Sequence, residues 1–147
     1  MAITYNPANI VRFDNKRAEG ELTQILSGAT ATGFGTNYEA PGYAAVKLIV
    51  RASGTVSATL KFWSSSQLDT PDFTASEADD NLIALTNVVP TAAPAGADSS
   101  SAVASYTLDA EGVYEFEFNC NYARWFNVEV DTYSSGTISA WMTGANI

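Results

Sequence analysis

Four carboxylates are the residues best spaced for chemistry in this chain. Glu115 and Glu117 alternate with apolar residues in "VYEFEFN", and Glu129 and Asp131 do so in "FNVEVD". Two acids on neighbouring strands could act as a glycosidase pair, one protonating the leaving oxygen while the other attacks or activates water. Other routes are closed by composition. The 147 residues contain no histidine, which removes Ser-His-Asp and Cys-His nucleophile systems and the usual nitrogen ligand of zinc. No GxSxG, phosphate-loop or GxGxxG pattern occurs. Outward carboxylates on a half-buried sheet most simply face water. The expectation is a protein that is not an enzyme and uses no cofactor.

Three further groups have a sharp reading and a plain one. Cys120, in "FNCNYA", is a reactive thiol only if a cation or helix start lowers its pKa; otherwise it is a small buried residue. The loop "DTPDFTASEADDN" offers Asp69, Asp72, Glu77, Asp79, Asp80 and Asn81 as hard oxygen ligands for calcium. It lacks the EF-hand glycine and ligand alternation, so a solvated loop explains it equally simply and no metal is assigned. Trp63, Trp125 and Trp141 could form a sugar-stacking platform, but core packing or a subunit contact accounts for them as well. Trp141 is read as an exposed aromatic anchor at an interface.

The elements that must position these groups are strands. In "AVKLIVRA", Val46, Leu48 and Val50 alternate with Lys47, Ile49 and Arg51. "SGT" then leads into "VSATLKFW", where Val56, Ala58, Leu60 and Phe62 share a face, a spacing that suits a hairpin. "LIALTNVV", "AVASYTL" and "VYEFEFN" follow as strands, the last with Tyr114, Phe116 and Phe118 inward. The final segment reads as a second hairpin around Ser-Ser-Gly. It places Phe126, Val128, Val130, Ile138, Ala140 and Met142 inward, and Asn127, Glu129, Asp131 and Trp141 outward. Seven or eight short strands of period two make the fold all-β, an antiparallel β-sandwich of which a jelly roll is one form. Residues 1–20 read as an extended N-terminal arm and 21–147 as the sandwich domain, with 28–43 and 87–101 as long flexible loops.

The totals agree with one such domain. A chain this long buries about 70% of the surface it exposes when unfolded. Seven Lys+Arg against 16 Asp+Glu give a net charge of −9. That surface suits neither nucleic acid nor an anionic membrane. A single cysteine allows no intrachain disulfide, and neither a secretory leader nor a membrane-spanning run is apparent, so synthesis in a reducing cytoplasm is expected.

Residues 44–144 resemble a β-sandwich family of tailed-phage virion proteins. The likeness rests on "AAVKLIVRASGTVSATLKFWSSSQ", "SYTLDAEGVYEFEF" and "YARWFNVEVDTYSSGTISAWM". The resemblance implies a capsid decoration (cement) protein, carried on the capsid surface of the virion and made in the host cytoplasm. It implies a homotrimer bound to the major capsid protein where subunits meet, often through a terminal arm. In this sequence the arm would dock through Ile10, Val11, Arg12, Phe13, Lys16 and Arg17, which place three of the seven cations within six residues. A locally packed first strand is the other reading of that segment. The alternative function is a carbohydrate-binding β-sandwich module of a phage tail or fibre.

Overall fold

The computed structural model describes residues 22–40, 42–74, 81–96 and 101–145. The arm and its six docking residues lie outside them. Among the described residues all regular structure is β, in nine strands. They are β1 (Thr23–Ala29), β2 (Gly33–Phe34), β3 (Tyr38–Glu39), β4 (Ala45–Ser65), β5 (Leu82–Ala84), β6 (Val89–Ala92), β7 (Ser105–Leu108), β8 (Gly112–Asn119) and β9 (Trp125–Ala145).

Two of these strands are 21 residues long and pair antiparallel along their whole length, from Ala45↔Ala145 to Ser65↔Trp125. The expected hairpins at "SGT" and "SSGT" are therefore corrected: neither segment reverses the chain. Both are corners at which a continuous strand bends. Between the pairs Ser53↔Thr137 and Ser57↔Ser135, β4 has Gly54, Thr55 and Val56 where β9 has only Gly136. Extra residues on one side of a ladder bend and twist it. Gly54 (φ 77°) and Gly136 (φ 96°) supply the left-handed backbone that the bend requires.

The bends fold the sheet over itself. One layer runs β1-β9-β4-β8-β6 through the 45–53 half of β4; in the other, the 57–65 half of β4 pairs with β5, β7 and the first half of β9, which also holds β2 and β3. Phe62 meets Phe116 of the opposite layer at 5.3 Å between ring centres, and Phe118 meets Phe126 at 5.2 Å. The inward residues expected from the alternation are buried in one core, from Val46 through Phe62 on β4, Tyr114 to Phe118 on β8 and Phe126 to Met142 on β9. The sandwich-like all-β expectation holds.

Two stretches read as loops carry strands. Residues 28–43 contain β2 and β3, and "VPTA" within 87–101 is β6. Neither has enough alternation to announce itself, since each strand is held by its partner rather than by its own pattern. Tyr114, buried to 1%, ties the "DAEG" turn by donating its hydroxyl to Ala110 O at 2.7 Å and accepting from Ala110 N–H at 3.1 Å.

Candidate functional site

The four outward carboxylates do not come together. Glu115 and Glu117 sit on β8 opposite Ile49 and Lys47 in one layer, while Glu129 lies opposite Lys61 in the other. The two pairs thus face away from each other across the sandwich. Glu115 is paired with Lys47 (2.5 Å) and Asp131 with Lys61 (3.5 Å), and Glu129 accepts the Trp63 indole N–H at 3.0 Å. Among the described residues no group of three or more His, Cys, Asp or Glu is placed to hold a metal. Of the acidic loop, Asp72 accepts from Thr74 N–H (2.9 Å) and from its hydroxyl (2.5 Å). These bonds hold its carboxyl below the usual value. Glu77, Asp79 and Asp80 lie outside the described residues.

The tryptophans do not form one platform. Trp125 is buried with Phe73 and Leu82, and Phe34 and Trp63 pack against them. This satellite core lies on the outer face of the second layer, where the Phe34, Phe73 and Leu82 side chains meet Trp63 of β4 and Trp125 of β9. Trp125 donates to Gln67 O at 3.2 Å. Asn127, expected to point to solvent, is 1% exposed. Its amide donates to Gly35 O and Asn37 Oδ1, both at 2.8 Å, and its carbonyl accepts from Val128 N–H at 2.7 Å. Trp141 does lie on the outer face of the first layer, but half-buried rather than exposed, with the Arg51 guanidinium 6.0 Å from its ring centre. Such a cation–π contact contributes about 0.5–1 kcal/mol at an exposed site.

Cys120 is buried, and burial pushes its thiol up to about 11. At pH 8 about one molecule in a thousand then carries the thiolate. A disulfide reagent such as DTNB is therefore expected to label the native protein only as it unfolds. Complete labelling within minutes under native conditions would contradict the burial.

The turn that begins at that thiol stands out most. Because β4 bends in half, its two ends return to the same place, at the turn joining β8 to β9. Cys120 N–H donates to Ala44 O and Arg124 N–H to Ser65 O, each at 2.9 Å. Between them Ala123 N–H donates to Cys120 O at 2.8 Å, with Asn121 at φ 48° and Tyr122 at φ 66°. Positive φ at both central positions with this bond is a type I′ turn, whose second position favours glycine. Here a tyrosine occupies it, with its side chain fully exposed (101%). A non-glycine residue in this conformation costs about 1–2 kcal/mol, and no burial of Tyr122 offsets that. Tyr122→Gly is accordingly expected to stabilise the fold by about 1 kcal/mol, read as a higher denaturant midpoint at unchanged slope.

Beside the turn lies a cleft of about 580 Å³, lined by Tyr43, Leu68, Asn121, Tyr122 and Arg124 together with small residues including Ala40, Ala44 and Ser66. Tyr43 is held from behind, since a methyl at Gly144 would overlap its ring. Arg124 Nη2 donates to Glu39 Oε1 at 2.7 Å, while its buried Nε has no hydrogen-bond partner. Leu68 is 80% exposed. Sequence reasoning passed over this site. The available signal was "CNYA", where an asparagine ends an alternating strand and tyrosine stands in the place of the glycine of an Asn-Gly turn.

No protein-family model matches the chain, and no curated protein sequence does. Among solved structures it is similar to the SPBc2 prophage-derived protein YomS, at 12% identity and a TM-score of 0.61, with 97% of each chain covered. It is also similar to the PBSX exported protein XepA, at 15% identity and a TM-score of 0.66. That match covers 98% of this chain and 44% of XepA, so the chain spans less than half of that protein's length. The likeness at these identities is one of fold: an all-β sandwich shared, along nearly its whole length, with two prophage proteins.

Proposed function

We propose that this chain is a non-catalytic structural component of a phage particle and, more finely, a capsid decoration protein. The observation that supports the phage reading is the fold it has in common with two prophage proteins, over 97% and 98% of its length. The decoration reading draws on the sequence resemblance described above. In it, a homotrimer seats on the capsid surface where copies of the major capsid protein meet. The arm residues Ile10, Val11, Arg12, Phe13, Lys16 and Arg17 reach the shell, and Trp141 contributes a contact on the sandwich.

The mechanism is thermodynamic. A subunit that binds the expanded shell and not its precursor stabilises the expanded state by mass action. Many copies on one closed shell add up without strong single contacts. A net charge of −9 limits clumping of particles and keeps the protein off the packaged genome. The test is to purify particles made with and without this chain. Its presence in the head fraction, with release of DNA at lower temperature when it is missing, supports the reading. Finding it only in the tail fraction, or in no particle, overturns the head assignment.

A further inference from the structure

We propose that the cleft beside the 120–123 turn binds a neutral sugar ring, with Tyr122 and Tyr43 as stacking faces and the Arg124–Glu39 pair as the hydrogen-bonding group for its hydroxyls. Two local costs meet at this cleft. Tyr122 is held by a glycine-type backbone without burying its ring, and the Arg124 Nε–H is buried without an acceptor. Strained backbone that gains nothing inside the fold concentrates where a ligand supplies the missing contact. The turn cannot relax the tyrosine away, because the β4 ends grip it on both sides through Ala44 O and Ser65 O.

Shape and charge select the ligand class. The cleft is concave and falls within the range of about 300–1,000 Å³ typical of small-molecule sites. The small residues in its lining, Ala40, Gly42, Ala44 and Ser66, leave room for a ring to approach the backbone. Arg124 is already neutralised by Glu39 at 2.7 Å, so neither an anion nor a cation finds an uncompensated charge there. The net charge of −9 further disfavours an anion. A polyol fits, since adjacent hydroxyls can accept from the guanidinium and donate to the carboxylate together. The C–H face of a hexose supplies the apolar surface that an exposed tyrosine ring lacks. A protein hot spot would instead need a dry apolar centre with polar groups at its rim. Here an ion pair adjoins the lining, and Leu68 and Tyr122 form an exposed rim rather than a dry centre.

This site is separate from the tryptophans, where Trp63 and Trp125 spend their indole N–H groups internally. It also does not depend on which part of a particle carries the chain. The test is an amide-shift NMR titration of the full chain with cellotetraose and with chitotetraose, two neutral β-linked tetramers, and with sialyllactose as an anionic control. Saturable shifts confined to residues 40–44, 66–68 and 119–124 are expected with at least one neutral tetramer, at a Kd on the order of 1 mM. Tyr122→Gly keeps the turn and should weaken binding at least about tenfold; Arg124→Lys should weaken it without disturbing the fold. The proposal fails if neither neutral tetramer gives saturable shifts at about 10 mM. It fails equally if the shifts lie elsewhere, survive Tyr122→Gly, or appear only with the anionic sugar. Capture of a capsid protein through Tyr122, with both tetramers ignored, would make the cleft a protein contact instead.

Discussion

Gly136→Ala is expected to destabilise the protein by about 3 kcal/mol and lower its Tm by about 9 °C. Gly136 holds φ 96° at the corner of β9, where an L side chain is strained by about 1–2 kcal/mol. An added methyl would also sit 2.7 Å from Val56 Cα and 2.8 Å from its Cβ. Val56 is 4% exposed and its backbone belongs to the opposing bend, so the collision cannot be relieved by rotating a side chain. Gly54 is the internal control. It too has positive φ, but nothing lies within 4 Å of the position a methyl would take. Gly54→Ala should therefore cost only the conformational part, about 1 kcal/mol. Equal losses for the two variants in urea unfolding would show that the two strands are not pressed together at the corner.

The second large effect is Asn127→Asp, isosteric and still expected to cost about 3 kcal/mol at pH 7. The Asn127 amide group donates to two acceptors, Gly35 O and Asn37 Oδ1, in a fully buried site. A carboxylate cannot donate, so two oxygens would face a buried negative charge. That arrangement raises the introduced carboxyl's pKa in the folded state. The sign follows: the deficit relative to the parent protein is smallest below the unfolded carboxyl's pKa, about 3.9, and grows as pH rises through the raised folded value. Paired denaturation curves at pH 4 and pH 7 measure it. A deficit independent of pH would mean that water reaches the site.

These residues also mark what could be learned from the chain alone. Alternation identified the inward faces of β4, β8 and β9, because strict period-two patterns are imposed by one shared core. It could not tell a corner from a hairpin. Ser-Gly-Thr supplies a positive φ for either, and the decision lies with partners about eighty to a hundred residues away, as in Ser53↔Thr137. Asn127 was assigned by parity to an outer face, which is where it lies beside Trp125. Yet Gly35, Asn37, Phe34 and Phe73 cover that face, and the segments that carry them have no periodicity from which the burial could be read. The candidate cleft was hidden for a related reason. Its lining comes from the residues just before and just after β4 and from the β8–β9 turn, which only the doubling of β4 brings together. Tyr122 alone carried a local trace, as a tyrosine in a glycine's place.

The central position of β9 has a consequence for how the molecule is made. β1, β2, β3 and β4 all pair with it, and it occupies residues 125–145. During synthesis, β1, β2 and β3 leave the ribosome with no native edge to join, and β4 meets only β5, β7 and β8 before β9 appears. The ladder that runs the whole length of β4 waits until about sixty further residues have been added, as the start of β9 at Trp125 follows Ser65 by that distance. Contacts of such long sequence separation form slowly and leave nascent chains exposed to aggregation. A ribosome-stalled chain ending before Trp125 should therefore remain protease-sensitive throughout. One stalled after Ala145 has cleared the exit tunnel should become resistant in a single step, β4 and β9 closing together as one folding event.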